Sequence, residues 1–401
     1  MDFDFETVYD RHNHDAKAVD GLGSFPGYAP DRPGEGVFPL PMWIADMSFA
    51  TFPGVKEALE RRAAYPLYGY FDPPAAYYQA ILDWQIQRHG FQKLTRDHIG
   101  YLNSVLAGVS AAVRALTQPG EGVLVHEPVY AGFTRCLDQI GRRPIFSPLR
   151  KQEGRLVMDL DHMERILRQE KIHLALLSNP HNPSGRAWTR EELAQAMALF
   201  KKWGVYVLSD EIWSDLVLPG YQHTPAALVS EDARERTISF YAPSKTFNLA
   251  GLQAAYSIVF NPSLRDRLEK VLAESFANKL NVLSMHALMG AYCPSGGAWL
   301  DALRRVLAEN IRLMVEYLGQ VGHLRWFDPQ ATYLLFIDLS DYLALHHLRL
   351  EELEARFWQA GVMVQDGRQF RGQSSIRMNL ALPKSQVLEA IRRMKEAVFT
   401  D

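Results

Sequence analysis

With 401 residues, 47% hydrophobic and 22% charged, the chain has the composition of a globular protein long enough for two domains, not that of a disordered or fibrous one. A net charge of −3, with no arginine or lysine block interleaved with aromatics, argues against nucleic acid and anionic membranes as partners. The two cysteines, Cys136 and Cys293, have no metal-ligand spacing, so they read as buried thiols and not as a disulfide scaffold or a zinc site. The stretch Met1-Asp-Phe-Asp-Phe-Glu6 is acidic and lacks the positive region and apolar run of a signal peptide. No run of about 18 apolar residues occurs, and the expectation is a soluble, cytoplasmic protein.

Residues 1–50 are rich in Gly, Pro and Asp and close on Leu40-Pro-Met-Trp-Ile-Ala-Asp-Met47, the pattern of an extended arm. From about residue 100 to 260, short apolar runs alternate with helical patterns. Strands are predicted at Gly122–His126, Pro144–Pro148, Ile172–Ser178, Val205–Ser209, Thr237–Tyr241 and Ala254–Phe260. Helices are predicted between them at Val105–Thr117 and Thr189–Trp203, the second opened by the capping box Thr189-x-x-Glu192. This alternation predicts an α/β fold with a mostly parallel sheet covered on both faces. The C-terminal third predicts a long helix at Trp299–Tyr317, a strand near Tyr333–Leu339, and helices at Leu350–Ala360 and Ser385–Val398, with Gly361 as a C′ residue. The expected division is an arm over 1–50, a large domain over 51–288 and a small α+β domain over 289–401, the small lobe drawing on both chain ends.

In an open α/β sheet, functional groups collect where strands end. After Ser178 comes Asn179-Pro-His-Asn-Pro-Ser-Gly-Arg186; after Ser209 comes Asp210-Glu-Ile-Trp213; after Tyr241 comes Ala-Pro-Ser244-Lys245-Thr-Phe-Asn248. Together with Tyr68-Gly-Tyr70, Leu116-Thr-Gln-Pro-Gly120, Glu127-Pro-Val-Tyr130 and Ile376-Arg-Met-Asn379, these segments follow one another in a definite order and spacing. In that set the chain resembles the fold-type I enzymes that use pyridoxal 5′-phosphate (PLP), the aspartate aminotransferase superfamily. Within them it resembles the MalY/PatB-type cystathionine β-lyase, or C-S lyase, branch. The resemblance spans nearly the whole chain.

The chemistry of that cofactor asks for an amine, a carboxylate, an oxygen ligand, an aromatic face and backbone amides for a phosphate. The resemblance implies that Lys245 is the Schiff-base lysine and that Asp210 pairs with the pyridine nitrogen. Asn182 would lie beside the 3-oxygen, Tyr130 would stack on the ring, and Arg377 would clamp the substrate α-carboxylate, with Asn182 and Tyr130 also near the substrate. Backbone at Val105 and Leu106, with Ser244, would hold the phosphate, and Tyr70 would reach it from a neighbouring subunit, implying a homodimer with a composite site. The bland reading of Tyr70 is interface packing within the run Tyr65, Tyr68, Tyr70, Tyr77 and Tyr78. Three departures stand out. Trp213, a fixed donor, occupies a position where Tyr or His is usual; Asn103–Gly108 lacks the usual Pro-Gly; and Gln253 stands where a cationic phosphate ligand is frequent.

The implied activity is α,β-elimination on cystathionine or a related cysteine S-conjugate, giving a thiol, pyruvate and ammonia, with Lys245 as the base. Transamination of amino acids is the alternative and uses the same residues. A binding module that has lost catalysis is disfavoured, because Lys245, Asp210 and Arg377 are all retained.

Overall fold

The computed structural model describes residues 3–24 and 27–400; Met1 and Asp2, which begin the acidic N-terminal stretch, together with Phe25, Pro26 and Asp401, lie outside the described residues. Taken in chain order, the first strands are β1 (Ile99–Leu102), β2 (Gly122–Glu127), β3 (Arg143–Pro148), the hairpin β4 (Arg150–Gln152) and β5 (Arg155–Val157), β6 (Leu174–Ser178), β7 (Tyr206–Asp210), β8 (Thr237–Tyr241) and β9 (Ala255–Ile258). Seven of them form one sheet in the order β1-β9-β8-β7-β6-β2-β3. Pairing is parallel from β8 through to β3, while β9 runs antiparallel to both β8 and β1. Strands β6 and β8 are buried at every position, as expected of a sheet covered on both faces.

A second sheet follows, built from β10 (Arg325–Trp326), β11 (Leu334–Asp338), β12 (Gln365–Asp366) and β13 (Ser375–Asn379) in the order β10-β11-β13-β12, all antiparallel. The N-terminal arm joins this part of the molecule. Leu40 bridges to Val362, and the Asn379 amide donates to the Met42 carbonyl at 2.7 Å. The arm is also clasped to the large sheet: Asn248 accepts from the Met47 amide at 3.1 Å and donates to the carbonyls of Met47 at 2.9 Å and Phe49 at 3.1 Å.

All the predicted strands and helices are present, most with shifted ends and the strand Thr237–Tyr241 with the predicted bounds. Strand β7 runs one residue further than predicted, so Asp210 ends the strand and does not follow it. The long helix starts at Pro294 and runs to Val321, because Pro294 supplies a preset first turn and Cys293 Sγ accepts from the Gly296 amide at 3.4 Å. Cys293 is therefore only half-buried, against the buried thiol expected, while Cys136 is buried. The Thr189 capping box is in place, and its Glu192 also pairs with the buried Arg186 at 2.5 Å. Gly361 has φ +75, the left-handed C′ conformation expected of it.

Candidate active site

Register places the functional segments side by side. Ser178 pairs with Asp210 and Asp210 with Phe240, so the carboxyl ends of β6, β7 and β8 lie level. The turn after β6 carries Asn182, β7 itself ends on Asp210, and the turn after β8 carries Ser244 and Lys245. The helix Val105–Leu116 points its first turn at the same place. Ser104 caps it, accepting from the Ala107 amide at 3.1 Å. Gly108 lets it sit close to the sheet, since a Cβ there would lie 2.6 Å from Leu102 and 2.8 Å from Phe240. From the second sheet comes Arg377, in the middle of β13 and paired in register with Gln365 of β12.

One cavity of about 300 Å³ results, lined by Val105, Leu106, Tyr130, Asn182, Asp210, Trp213, Ser244, Lys245 and Arg377. Every predicted site residue except Tyr70 is thus brought together. Tyr70 is fully exposed and borders a different groove, beside Tyr68, Tyr101, Arg265 and Lys279. Sequence reasoning missed the lining contributed by Tyr28, Ile44, Ala45, Ile212 and Gln365. Of these, Ala45 falls inside the motif Leu40–Met47, whereas Tyr28 and Gln365 carry no local signal. Gln253 lines the cavity with φ +43, and it brings an amide to this wall, not a charge.

The electrostatics are set by burial. Asp210 is 6% exposed, and desolvation pushes its carboxyl up to about 7 although the Ile212 amide donates to it at 3.1 Å and Lys245 also favours its charged form. Its second oxygen has no hydrogen-bond partner among the described residues. The same desolvation pulls Lys245 down to about 8, Asp46 and Asp210 opposing the fall and Arg377 adding to it. Lys245 Nζ donates to the Ala45 carbonyl at 2.7 Å and lies 5.7 Å from the Trp213 ring centroid. Arg377 is pulled down to about 10 by burial, so it stays cationic near neutrality. Its two terminal nitrogens donate to Asn182 Oδ1 at 3.1 Å and to the Trp43 carbonyl at 2.9 Å, and its buried Nε has no partner. A carboxylate arriving at Arg377 must therefore share or displace these acceptors. Trp213 packs edge-on against Tyr333 at 4.8 Å, and its indole N–H finds no acceptor among the described residues.

Chemically, the cavity presents an amine partly neutral near pH 8, a carboxyl that a neighbouring cation would ionise, a guanidinium suited to a carboxylate, and helix-terminal amides suited to a phosphate. Among the described residues no group of three or more His, Cys, Asp or Glu could hold a metal ion.

Comparison with known proteins agrees with this chemistry. The family model described as aminotransferase class I and II matches residues 42–394. The cystathionine beta-lyase PatB of Bacillus subtilis (strain 168) is 35% identical over 363 residues, covering 90% of this chain and 92% of its own. Among solved structures, a PLP-bound putative aminotransferase from Clostridium difficile 630 superposes with a TM-score of 0.91 at 31% identity, over 100% of both chains. A PLP-bound C-S lyase from Staphylococcus hominis superposes with a TM-score of 0.89 at 29% identity, over 99% of this chain and 98% of its own.

Proposed function

This chain belongs to the aminotransferase class I and II family, and we propose that it is a PLP-dependent carbon–sulfur β-lyase cleaving cystathionine or a related cysteine S-conjugate to a thiol, pyruvate and ammonia. What carries the reading is that a cystathionine β-lyase matches this chain over most of its length while the chemistry-bearing residues share one cavity. The cavity fits the cofactor. The unpartnered oxygen of Asp210 can accept from a protonated ring nitrogen, and the capped N-terminus at Val105 and Leu106, with Ser244, can take the phosphate.

When bound, PLP supplies an electron sink conjugated to the substrate Cα. Asp210 then holds the proton on the ring nitrogen, the counter-charge offsetting the burial that otherwise keeps this carboxyl near neutral. Tyr130 offers its ring as a stacking face, and Asn182 and Trp213 offer side-chain N–H donors to the 3-oxygen side. Arg377 orients the substrate through its α-carboxylate. Lys245 would hold the cofactor and would take the proton from the substrate Cα; desolvation, which lowers its pKa to about 8, favours the neutral amine for that task.

We also assign the chain to a cytoplasmic homodimer, with the arm and 289–401 acting as one small domain against 51–288. The exposed run Tyr65, Leu67, Tyr68 and Tyr70 supports the dimer, being an apolar surface of the kind that a partner covers. Among the described residues no helix is long and apolar enough to cross a membrane. If Tyr70 serves the partner's site, mixing inactive Tyr70→Phe and Lys245→Ala subunits restores part of the activity; no recovery after verified exchange places Tyr70 in its own chain's work.

The deciding experiment is turnover of L-cystathionine with no keto acid. A lyase releases homocysteine, pyruvate and ammonia in equal amounts over many cycles, since each cycle regenerates the starting enzyme. Transamination, the reading favoured by the Clostridium difficile neighbour, stops after a single equivalent per site and resumes on addition of 2-oxoglutarate. Such a stall without free thiol would sink the lyase reading.

A further inference from the structure

Beside the cavity that holds Lys245 lies a second one of about 400 Å³. Tyr28, Leu106, Tyr130, Gln365 and Arg377 border both, so the two are chambers of one cleft. The outer chamber is walled by the helices Val105–Leu116 and Ala131–Gln139, which contribute Arg114 and Arg135. Both arginines are exposed, and neither guanidinium makes a hydrogen bond or ion pair among the described residues. Arg135 lies 5.4 Å from the Tyr28 ring centroid, a stacking that holds it over the cleft without neutralising it. No Asp or Glu lines the chamber; its other polar walls include the amides of Gln139, Gln365 and Gln369.

Two cations on the wall of a cleft, with no anion opposite, concentrate positive potential in it. Arg377 borders both chambers, so a conjugate anchored there by its α-carboxylate, with its reacting end at Lys245, has the outer chamber as free volume for whatever hangs on sulfur. Resting on the lyase reading, we propose that the outer chamber selects cysteine conjugates whose S-substituent bears a carboxylate or another anionic group, with Arg114 and Arg135 as the specificity-determining residues.

A length-matched series tests this on the holoenzyme: S-(2-carboxyethyl)-, S-propyl- and S-(2-aminoethyl)-L-cysteine, followed by pyruvate release and, separately, by equilibrium binding. The expected kcat/KM falls in that order, the carboxylate leading the neutral compound by roughly three- to tenfold, the size that two partly exposed charge pairs give. Added salt narrows the gap. An Arg114→Gln/Arg135→Gln double variant brings the ratio toward one, and Arg135→Glu puts the ammonium compound ahead of the carboxylate. Because the readout is a ratio, a general loss of folding or cofactor does not imitate it. A wild-type ratio retained in the double variant, or equal kcat/KM across the series in the wild type, overturns the proposal. If none of the three yields pyruvate, the lyase reading fails, and the binding order alone decides: carboxylate first sustains the anionic chamber, and no order removes it.

Discussion

Asp210 and Glu211 are neighbours in the chain, both buried, and they answer burial in opposite ways. Desolvation raises both. Asp210, with a single backbone donor, rises to about 7. For Glu211 the rise is outweighed by His223, whose Nε2 stands at 2.9 Å, by the Tyr241 hydroxyl at 2.7 Å and by the Ala226 amide at 3.0 Å, and its carboxyl ends below the ordinary range. Asp215 repeats the second pattern, taking donors from Trp84 at 3.0 Å, His89 at 2.8 Å and Thr246 at 2.9 Å. The pocket side of the strand ends thus holds an underpartnered carboxyl, while the two carboxylates beside it, Glu211 and Asp215, are each supplied with several donors. Saturated groups hold structure; underpartnered ones await a ligand.

The sharpest test of this division removes one group from each region. Lys245→Ala should lower turnover by about a thousandfold or more, since it deletes the group proposed as both anchor and base, and leave the melting temperature close to wild type. Borohydride reduction of the holoenzyme should fix the cofactor to Lys245; a mapped adduct on another lysine would overturn the assignment. Glu211→Ala should do the reverse. It leaves His223, Tyr241 and Ser209 without their common acceptor, and the expected cost is about 3–5 kcal/mol of stability in chemical denaturation. A Glu211→Ala protein as stable as wild type would dissolve the contrast.

The same contrast explains what was legible in the sequence. Strand ends, the Thr189 capping box and the polar residues that follow each strand are local signals, and they located Asn182, Asp210, Ser244 and Lys245. Strand β9 was placed, but its antiparallel direction follows from pairing with β1, a four-residue edge strand with no alternation of its own. The helix Val282–Ala291 escaped because it is apolar around most of its circumference and shows no face. Tyr28 and Gln365 escaped because they reach the cavity only through tertiary contact: Gln365 Nε2 donates to the Tyr28 carbonyl at 2.8 Å, across more than three hundred residues. The donors around Asp215 were illegible for the same reason, since His89 and Trp84 reach it across more than a hundred residues.

Asp210 also predicts a pH signature of the cofactor-free protein. Its folded carboxyl is raised from 3.8 to about 7, so the stability it contributes is complete below its unfolded pKa and is lost as the pH climbs through about 7. Asp210→Asn removes that loss. The cofactor-free variant should therefore gain on wild type as the pH rises from 4 to 8, by at most about 4 kcal/mol for a shift of this size, while its holoenzyme loses turnover. Parallel stability profiles for the two proteins would show that the carboxyl is not underpartnered after all.

The smallest expected effect belongs to Trp213, which shares features of both regions. Its ring is packed like a structural residue, 2% exposed and edge-on to Tyr333, yet its N–H is unpartnered at the cavity like a functional one. Trp213→Phe keeps most of the ring and deletes only the donor. A neutral hydrogen bond contributes about 1 kcal/mol net, so the loss in kcat/KM should be about fivefold, with a stability change smaller than that of Glu211→Ala. Trp213→His restores a donor on a smaller ring and should recover part of the rate below the imidazole's pKa and above it alike, because the neutral ring still carries one N–H. If Trp213→Phe costs stability but no activity, Trp213 belongs wholly to the packed region and Asn182 provides the 3-oxygen contact without it.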